Sequence, residues 1–407
     1  MQATESQLLR RTLLAGIGGT AVTWANAGWG MVNPMPHDGP RRPTNGAFAQ
    51  PDGAGARDGI PPPQTTVSPP VPHRVSHPAR YSAEVLAEWA HFKARFMSGD
   101  GRVVDTGNGG VSHSEGQGWG MLFAVAFDDP ETFDALYAWT RRTLRRRGDA
   151  LHAWRYVPNA TQPVADTNNA TDADLFIAAA LWRAAWRWGR PELAEAAAAI
   201  ARDLLALAVC DVGARTLLLP GVEGFASATA LTINPSYYAF PMLDEMAALA
   251  PSPRWTQVRA HGMSLLSEAR FGHWQLPPDW LRVDRVTGAL SPHPNWPARF
   301  SYDAIRVPLW LSWAHDNSSS VAQSFSSYWA SCAAFAPAWI DLKTDDSATY
   351  PAPPGMVAVA RVATALSHCG AKAPLQTSFP AVRASPDYYS AALILLTRLA
   401  WQEGRST

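Results

Sequence analysis

Beyond residue 80, apolar residues recur at helical spacing along most of the chain. The segments are 82–97, 118–127, 130–144, 172–188, 191–208, 236–248, 254–270, 306–315, 322–336, 354–367 and 386–402. Many open with Pro, Ser or Asp, residues that favour the first turn of a helix or the position before it. Strand-like stretches are few: 215–220, and 280–283 as one arm of a hairpin turning at Thr287-Gly288. A long series of helices joined by irregular loops bearing Pro, Trp and Asp predicts an all-α fold, a helical toroid with a few short strands in its loops. A two-layer bundle would have shorter, plainer loops, and no close repeat suggests a solenoid.

Before residue 80 the texture is different. Arg10-Arg11 precede a short apolar run, residues 12–19, and Ala25-Asn26-Ala27 offers a small-residue cleavage site. Residues 1–27 therefore read as an export signal, of twin-arginine or ordinary secretory type, with the mature chain beginning near Gly28. The run is too short to span a membrane. Residues 28–79 are rich in Pro, Gly and Ala without periodicity, as in Pro61-Pro62-Pro63. Such a composition cannot bury enough apolar surface to offset its ordering entropy, so it reads as a flexible linker.

Composition removes several function classes. A formal net charge of zero gives no global field for nucleic acid or an anionic membrane. Arg141, Arg142 and Arg145 to Arg147 complement the C-terminus of the 130–144 helix and form no binding patch. Cys210, Cys332 and Cys369 lack metal-type spacing, and no His-Glu-x-x-His pair exists, so neither a metal nor an organic cofactor is expected. There is no Gly-x-Ser-x-Gly elbow, and Gly116-x-Gly118-x-Gly120 does not follow a strand, against a dinucleotide fingerprint. A buried core accounts for some of the eighteen tryptophans, and the excess of flat amphipathic rings also fits a site that stacks on sugar faces.

The chemistry centres on Ser112-His113-Ser114-Glu115-Gly116-Gln117-Gly118-Trp119-Gly120-Met121. Ser112 and Glu115 have capping-box spacing. Three glycines in the first turns, each costing about 1 kcal/mol relative to Ala, argue for more than a cap, since without side chains the backbone and the carboxyl can lie against something bulky. Two further segments bring carboxylates beside aromatics. In Asn168-Asn169-Ala170-Thr171-Asp172-Ala173-Asp174, Asp174 is explained by helix-start electrostatics. Asp172 is not, because Thr171 could supply the cap. In Ser301-Tyr302-Asp303-Ala304-Ile305-Arg306-Val307-Pro308, Asp303 and Arg306 can pair across three residues. Pro308 prevents a regular helix from running through Asp303. An arginine holding Asp303 in a loop mouth would keep its pKa low and make it a base. One neutral carboxyl and one ionised carboxylate are what glycosidic cleavage requires.

These segments resemble glycoside hydrolase family 8, in particular bacterial endoglucanases associated with cellulose synthesis. The 112–121 run resembles the general-acid motif, with Trp119 where Tyr is usual. Residues 170–188 resemble the signature helix, except at Trp182. Tyr302-Asp303-Ala304-x-Arg306-Val307-Pro308 is similar to the general-base segment, Asn234-Pro235-Ser236-Tyr237 to a further family segment, and Tyr388-Tyr389 to the closing helix. The resemblance covers about residues 80–401 and makes 80–407 the catalytic domain. It implies an (α/α)6 barrel and inverting endo-hydrolysis of β-1,4-glucan, with chitosan, xylan or mixed-linkage glucan as same-family alternatives and a non-catalytic glucan-binding scaffold as the rival of another class. It implies Glu115 as acid and Asp303 as base. Asp172 would hold the sugar beside the cut, Tyr237 and Arg306 would position water and base, and Tyr302 would contribute to substrate binding. Trp154 resembles a sugar-stacking tryptophan. The implied partners are the glucan and the cellulose-synthesis machinery. Residues 316–328 depart from the family pattern and are expected to form a loop that alters the groove.

Overall fold

The computed structural model describes residues 81–316, 320–332, 335–369 and 379–403. Residues 1–79, read above as an export signal and a linker, lie outside the described residues. Eleven α-helices follow one another among those described: α1 (Ala83–Phe96), α2 (Ser114–Ala126), α3 (Pro130–Leu144), α4 (Thr171–Trp188), α5 (Pro191–Leu207), α6 (Phe240–Leu249), α7 (Pro253–Glu268), α8 (Arg306–Trp313), α9 (Ser320–Ser331), α10 (Pro354–Cys369) and α11 (Tyr388–Glu403).

Burial sorts them into two layers. In α4 every residue from Thr171 to Ala185 is buried, and in α11 every residue from Tyr388 to Trp401. A helix apolar all round belongs inside. By contrast α5 buries one stripe, Leu193, Ala197, Ile200, Ala201 and Leu204, and α1 buries Glu88, Trp89, Phe92 and Phe96. Helices α2, α4, α6, α8, α10 and α11 touch in sequence, and α11 returns to touch α2, closing a ring. Outer helices α1, α3, α5, α7 and α9 pack on α11, α2, α4, α6 and α10 respectively. The arrangement is an (α/α)6 barrel.

Local chemistry fixes several boundaries. Pro130, Pro191 and Pro253 each open a helix, where the missing N–H costs nothing. Asp129 caps α3 by accepting from the Thr132 N–H, and Gly189 ends α4 in the left-handed conformation. Pro308 sits in the first turn of α8, so the helix begins at Arg306 and leaves Asp303 in the preceding turn. Helix α2 starts at Ser114, earlier than its apolar pattern, because the glycines carry no apolar side chain to register. The 236–248 segment divides into a 3-10 turn at Pro235–Tyr237 and α6. Ser320–Ser331 is an outer helix and not the groove-altering loop expected over 316–328; residues 317–319 lie outside the description.

The short strands lie in the long outer-to-inner connections. Strands β1 (Ser112–His113) and β2 (Arg155–Tyr156) pair, as do β3 (Val209–Val212) and β4 (Arg215–Leu218). Strands β5 (Ala230–Ile233), β6 (Leu281–Asp284) and β7 (Leu290–Pro292) form an antiparallel sheet with β6 central, and the β6–β7 hairpin turns at Gly288, φ 72°. Strand β8 (Arg299–Phe300) pairs with β9 (Ile340–Asp341). Cys210 and Cys332 are free thiols; the Cys369 side chain is outside the description.

Candidate active site

Outer-to-inner connections all end where an inner helix begins, so side chains from distant segments meet at one end of the ring. Glu115 lies in the first turn of α2 and Asp172 in that of α4, while Arg306 is the first residue of α8 and Tyr388 and Tyr389 open α11. Ser236 and Tyr237 lie in the turn before α6. Five inner-helix N-termini thus contribute to one cluster, and their partial positive charge favours anionic groups there.

Arg306 is the hub. Its Nη1 is 3.1 Å from Glu115 Oε2, and its Nη2 is 3.0 Å from Asp303 Oδ1 and 3.5 Å from Asp172 Oδ2. Nη2 also donates to Ser236 Oγ at 2.8 Å, and Nη1 to the Tyr389 hydroxyl at 3.4 Å. That hydroxyl in turn donates to the Tyr302 carbonyl. The guanidinium carbon lies 6.0 Å from the centre of the Trp119 ring and 5.9 Å from that of Tyr237. Trp310 Nε1 donates to the Ser236 carbonyl at 2.8 Å and pins the turn that presents Tyr237.

Three carboxyls share this single cation, and each is almost wholly buried: Glu115 is 5 % exposed, Asp172 1 % and Asp303 2 %. Burial pushes Glu115 up to about 8, opposed by Arg306 and reinforced by Asp172. The hydrogen bond between Glu115 and Asp172 raises the former and lowers the latter, so Glu115 is the donor and carries the proton. Asp172 rises less, to about 6, with burial again the largest cause.

Asp303 differs from expectation. It is not in an open loop mouth with a low pKa; burial drives it up to about 8, with Asp279 and Glu115 adding to the rise and Arg306 countering it. One cation divided among three acids cannot hold all of them ionised. Asp303 is fixed from behind by Asp279, a residue the motifs did not single out. Asp279 accepts from the Ser301 hydroxyl, from Ser301 N at 3.0 Å and from Ala304 N at 2.8 Å, and so shapes the turn. Asp279 lies 22 residues before Ser301 and is reached only through the tertiary fold.

Several local readings change. His113 takes the position before α2 and no side chain caps the helix, so Ser112 and Glu115 form no capping box. Ser112 instead donates to the Val103 carbonyl. Ala170, without a side-chain bond, precedes α4, so Thr171 is not its cap. Asp174 is no solvated helix-start acid: fully buried, it accepts from His152 N at 3.1 Å and Asn169 Nδ2 at 3.1 Å, and lies 2.8 Å from His152 Nδ1. It anchors the segment that carries Trp154.

The glycines serve helix packing. A Cβ on Gly118 would stand 3.0 Å from Phe176 Cβ and 3.1 Å from the Ala173 carbonyl oxygen, and one on Gly116 would stand 3.2 Å from the Tyr388 ring. The space they clear is filled by α4 and α11, not left open beside the carboxyl.

Tyr237 is buried against Trp280, and Tyr302 is half-buried with its phenol paired to Tyr350 at the rim. Trp154 exposes 7 % of its surface. His113 stacks parallel to it at 6.1 Å, the Arg155 guanidinium lies 5.5 Å from its ring centre, and Nε1 donates to Asp166 at 2.8 Å. Little of its face is left for a sugar. His113, itself flanked by Tyr388, is depressed to about 3 by burial and is neutral two residues from Glu115.

The profile of glycosyl hydrolases family 8 matches residues 75–403. A probable endoglucanase of Novacetimonas hansenii is 47 % identical over 320 residues, covering 78 % of this chain and 91 % of the relative. An endoglucanase of Cellulomonas uda is 41 % identical over 271 residues, 67 % of this chain and 75 % of that one. Among solved structures, the endo-beta-1,4-glucanase CMCax of Acetobacter xylinum superposes with a TM-score of 0.74 at 45 % identity, covering 80 % of this chain and 99 % of that one. An all-helical ring with a buried, arginine-bridged acid cluster at one end, matched over its described length by these relatives, is thus a glycoside hydrolase, and the chain belongs to glycosyl hydrolase family 8.

Proposed function

We propose that the protein is an exported endo-β-1,4-glucanase that cleaves with inversion and supports bacterial cellulose synthesis. Residues 1–27 would be the export signal, 28–79 a linker and 80–407 the catalytic domain. Among the described residues no helix is long and apolar enough to cross a membrane. The substrate and the biological setting rest on the relatives, which include endoglucanases of Novacetimonas hansenii and Acetobacter xylinum.

The observation that carries the mechanism is that Glu115, Asp172 and Asp303 meet, buried, on the one guanidinium of Arg306. Glu115 and Asp303 both reach the Arg306 guanidinium, and cleavage by such a pair needs one proton between them. The Glu115–Asp172 hydrogen bond puts that proton on Glu115, and Arg306 Nη2 stabilises charge on Asp303. Glu115 then donates to the departing glycosidic oxygen while Asp303 takes a proton from water arriving at the opposite face of the sugar. Asp172 holds the sugar beside the cut. Tyr237 and Arg306 position water and base, and Tyr302 lies at the rim of the substrate path.

Glu115→Gln and Asp303→Asn should each lower turnover on carboxymethyl cellulose by at least about 100-fold, the usual contribution of positioned acid–base groups, with folding retained. Near-normal turnover by either variant would remove its residue from this role. Proton NMR in the first minutes of hydrolysis should show the α-anomer as the initial product. An initial β-anomer would exclude single displacement.

A further inference from the structure

Away from the acid cluster lies a cavity of about 360 Å³, lined by Trp274, Tyr328, Cys332, Phe335, Asp345 and Ser347 among others. We propose that it is a second carbohydrate-binding site, taking a glucosyl stretch of the same β-linked glucan outside the cleavage groove; this rests on glucan being the substrate.

The cavity combines flat apolar surface with polar rims, the chemistry a pyranose presents on its C–H faces and at its hydroxyls. Trp274 is half-buried and Phe335 is 44 % exposed, so both rings offer surface. Asp345 and Ser347 stand exposed at the edge. The loop that carries Trp274 is closed by hydrogen bonds. Phe271 and Leu276 exchange backbone hydrogen bonds across its loop, Gln275 Nε2 donates to the Gly272 carbonyl at 2.9 Å, and His273 N donates to Asp345 Oδ1 at 3.4 Å. A preformed ring binds without the cost of ordering it.

The independent observation is Tyr328. Its side chain is 3 % exposed, it packs 6.0 Å from Trp274, and its buried hydroxyl has no hydrogen-bond partner. A buried polar group without a partner needs one; Tyr328 lines the cavity, so a small adjustment of the lining on binding would let a sugar hydroxyl supply it. Placement is also suited to a long chain molecule. Trp274 lies on the connection from α7 to α8 and Phe335 and Asp345 on that from α9 to α10, so both emerge at the end of the ring where Asp303 lies. Tyr328 also meets Phe300, three residues before Asp303, with ring centres 6.0 Å apart.

The test uses the full chain made inactive by Glu115→Gln, titrated calorimetrically with cellohexaose. Two binding events are expected. Adding Trp274→Ala should abolish one, and adding the shape-preserving Tyr328→Phe should weaken that one at least threefold. In the active enzyme, Trp274→Ala should lower kcat/KM on carboxymethyl cellulose about fivefold and leave that on cellopentaose unchanged, because only a long chain engages both sites. A single binding event in the parent, two persisting after Trp274→Ala, or equal losses on polymer and pentamer would overturn the proposal. Failure of the wild-type chain to cleave any β-1,4-glucan would overturn the hydrolase reading, while the Trp274-dependent binding event would still decide this site.

Discussion

At Asp172 one side chain sets the protonation of another. Its charge and its hydrogen bond both raise Glu115. Asp172→Asn removes the charge, so Glu115 should ionise at lower pH. Because the neutral form of Glu115 is the competent one, activity is lost as pH rises through its pKa, and the alkaline limb of the kcat/KM profile should move to lower pH by about one unit. An unmoved or raised limb would show that Asp172 does not maintain the acid. The motifs revealed Glu115, Asp172, Asp303 and Arg306 together, since each is an acid or base in a context that capping or surface pairing explains poorly. They could not reveal the pKa of Asp303, because desolvation depends on what covers a group and no spacing encodes that. Asp174 was misread for the same reason: a carboxylate at a helix start is ordinarily solvated, and only tertiary packing shows that this one is sealed against His152.

At the level of elements, helices were legible, as were β4, β6 and the hairpin turn at Gly288, while the other short strands were not. Helices α3 and α5 begin at the prolines that mark them, because the signal is local. Strands β5 and β8 are short and gain their partners from β6 and β9, about 50 and 40 residues later, so their pairing is a property of the assembled ring. The α2 glycines let the backbone lie against bulky neighbours, as expected, but those neighbours belong to the barrel and leave no open floor beside the carboxyl. In an open helix Gly118→Ala would gain about 1 kcal/mol. Here the new methyl meets α4 backbone at 3.1 Å, and overpacking of this kind costs about 1–3 kcal/mol. Urea unfolding should therefore show net destabilisation of Gly118→Ala, and a stabilised variant would mean that α2 and α4 can separate freely.

On the scale of the molecule, the ring has a second arginine-centred network nearer the C-terminal ends of its inner helices. Arg183 of α4 donates through Nε to Glu245 of α6 at 2.9 Å and through Nη1 to Glu403 of α11 at 2.8 Å, and Trp313 of α8 donates to Glu403 at 2.8 Å. Four inner helices are joined by groups that are mostly buried. Arg183→Met would leave two carboxylates without their cation and should destabilise the fold by about 3–5 kcal/mol. The catalytic constants measured well below the melting transition should stay near those of the parent, because Arg183 touches none of the reacting groups. A matching fall in kcat without loss of stability would contradict that separation.

The contact of α11 with α2 has a consequence in time. Glu115 stands near the start of the ring and Tyr388 and Tyr389 near its finish, so the seam where the circle joins runs through the reaction centre itself. A growing polypeptide can present every acid of the cluster and still lack the hydroxyl that bonds both Arg306 and the Tyr302 carbonyl. Closing so distant a contact is among the slower steps available to a chain. Catalytic competence therefore waits on the docking of α11 against α2, and is lost if that contact lets go.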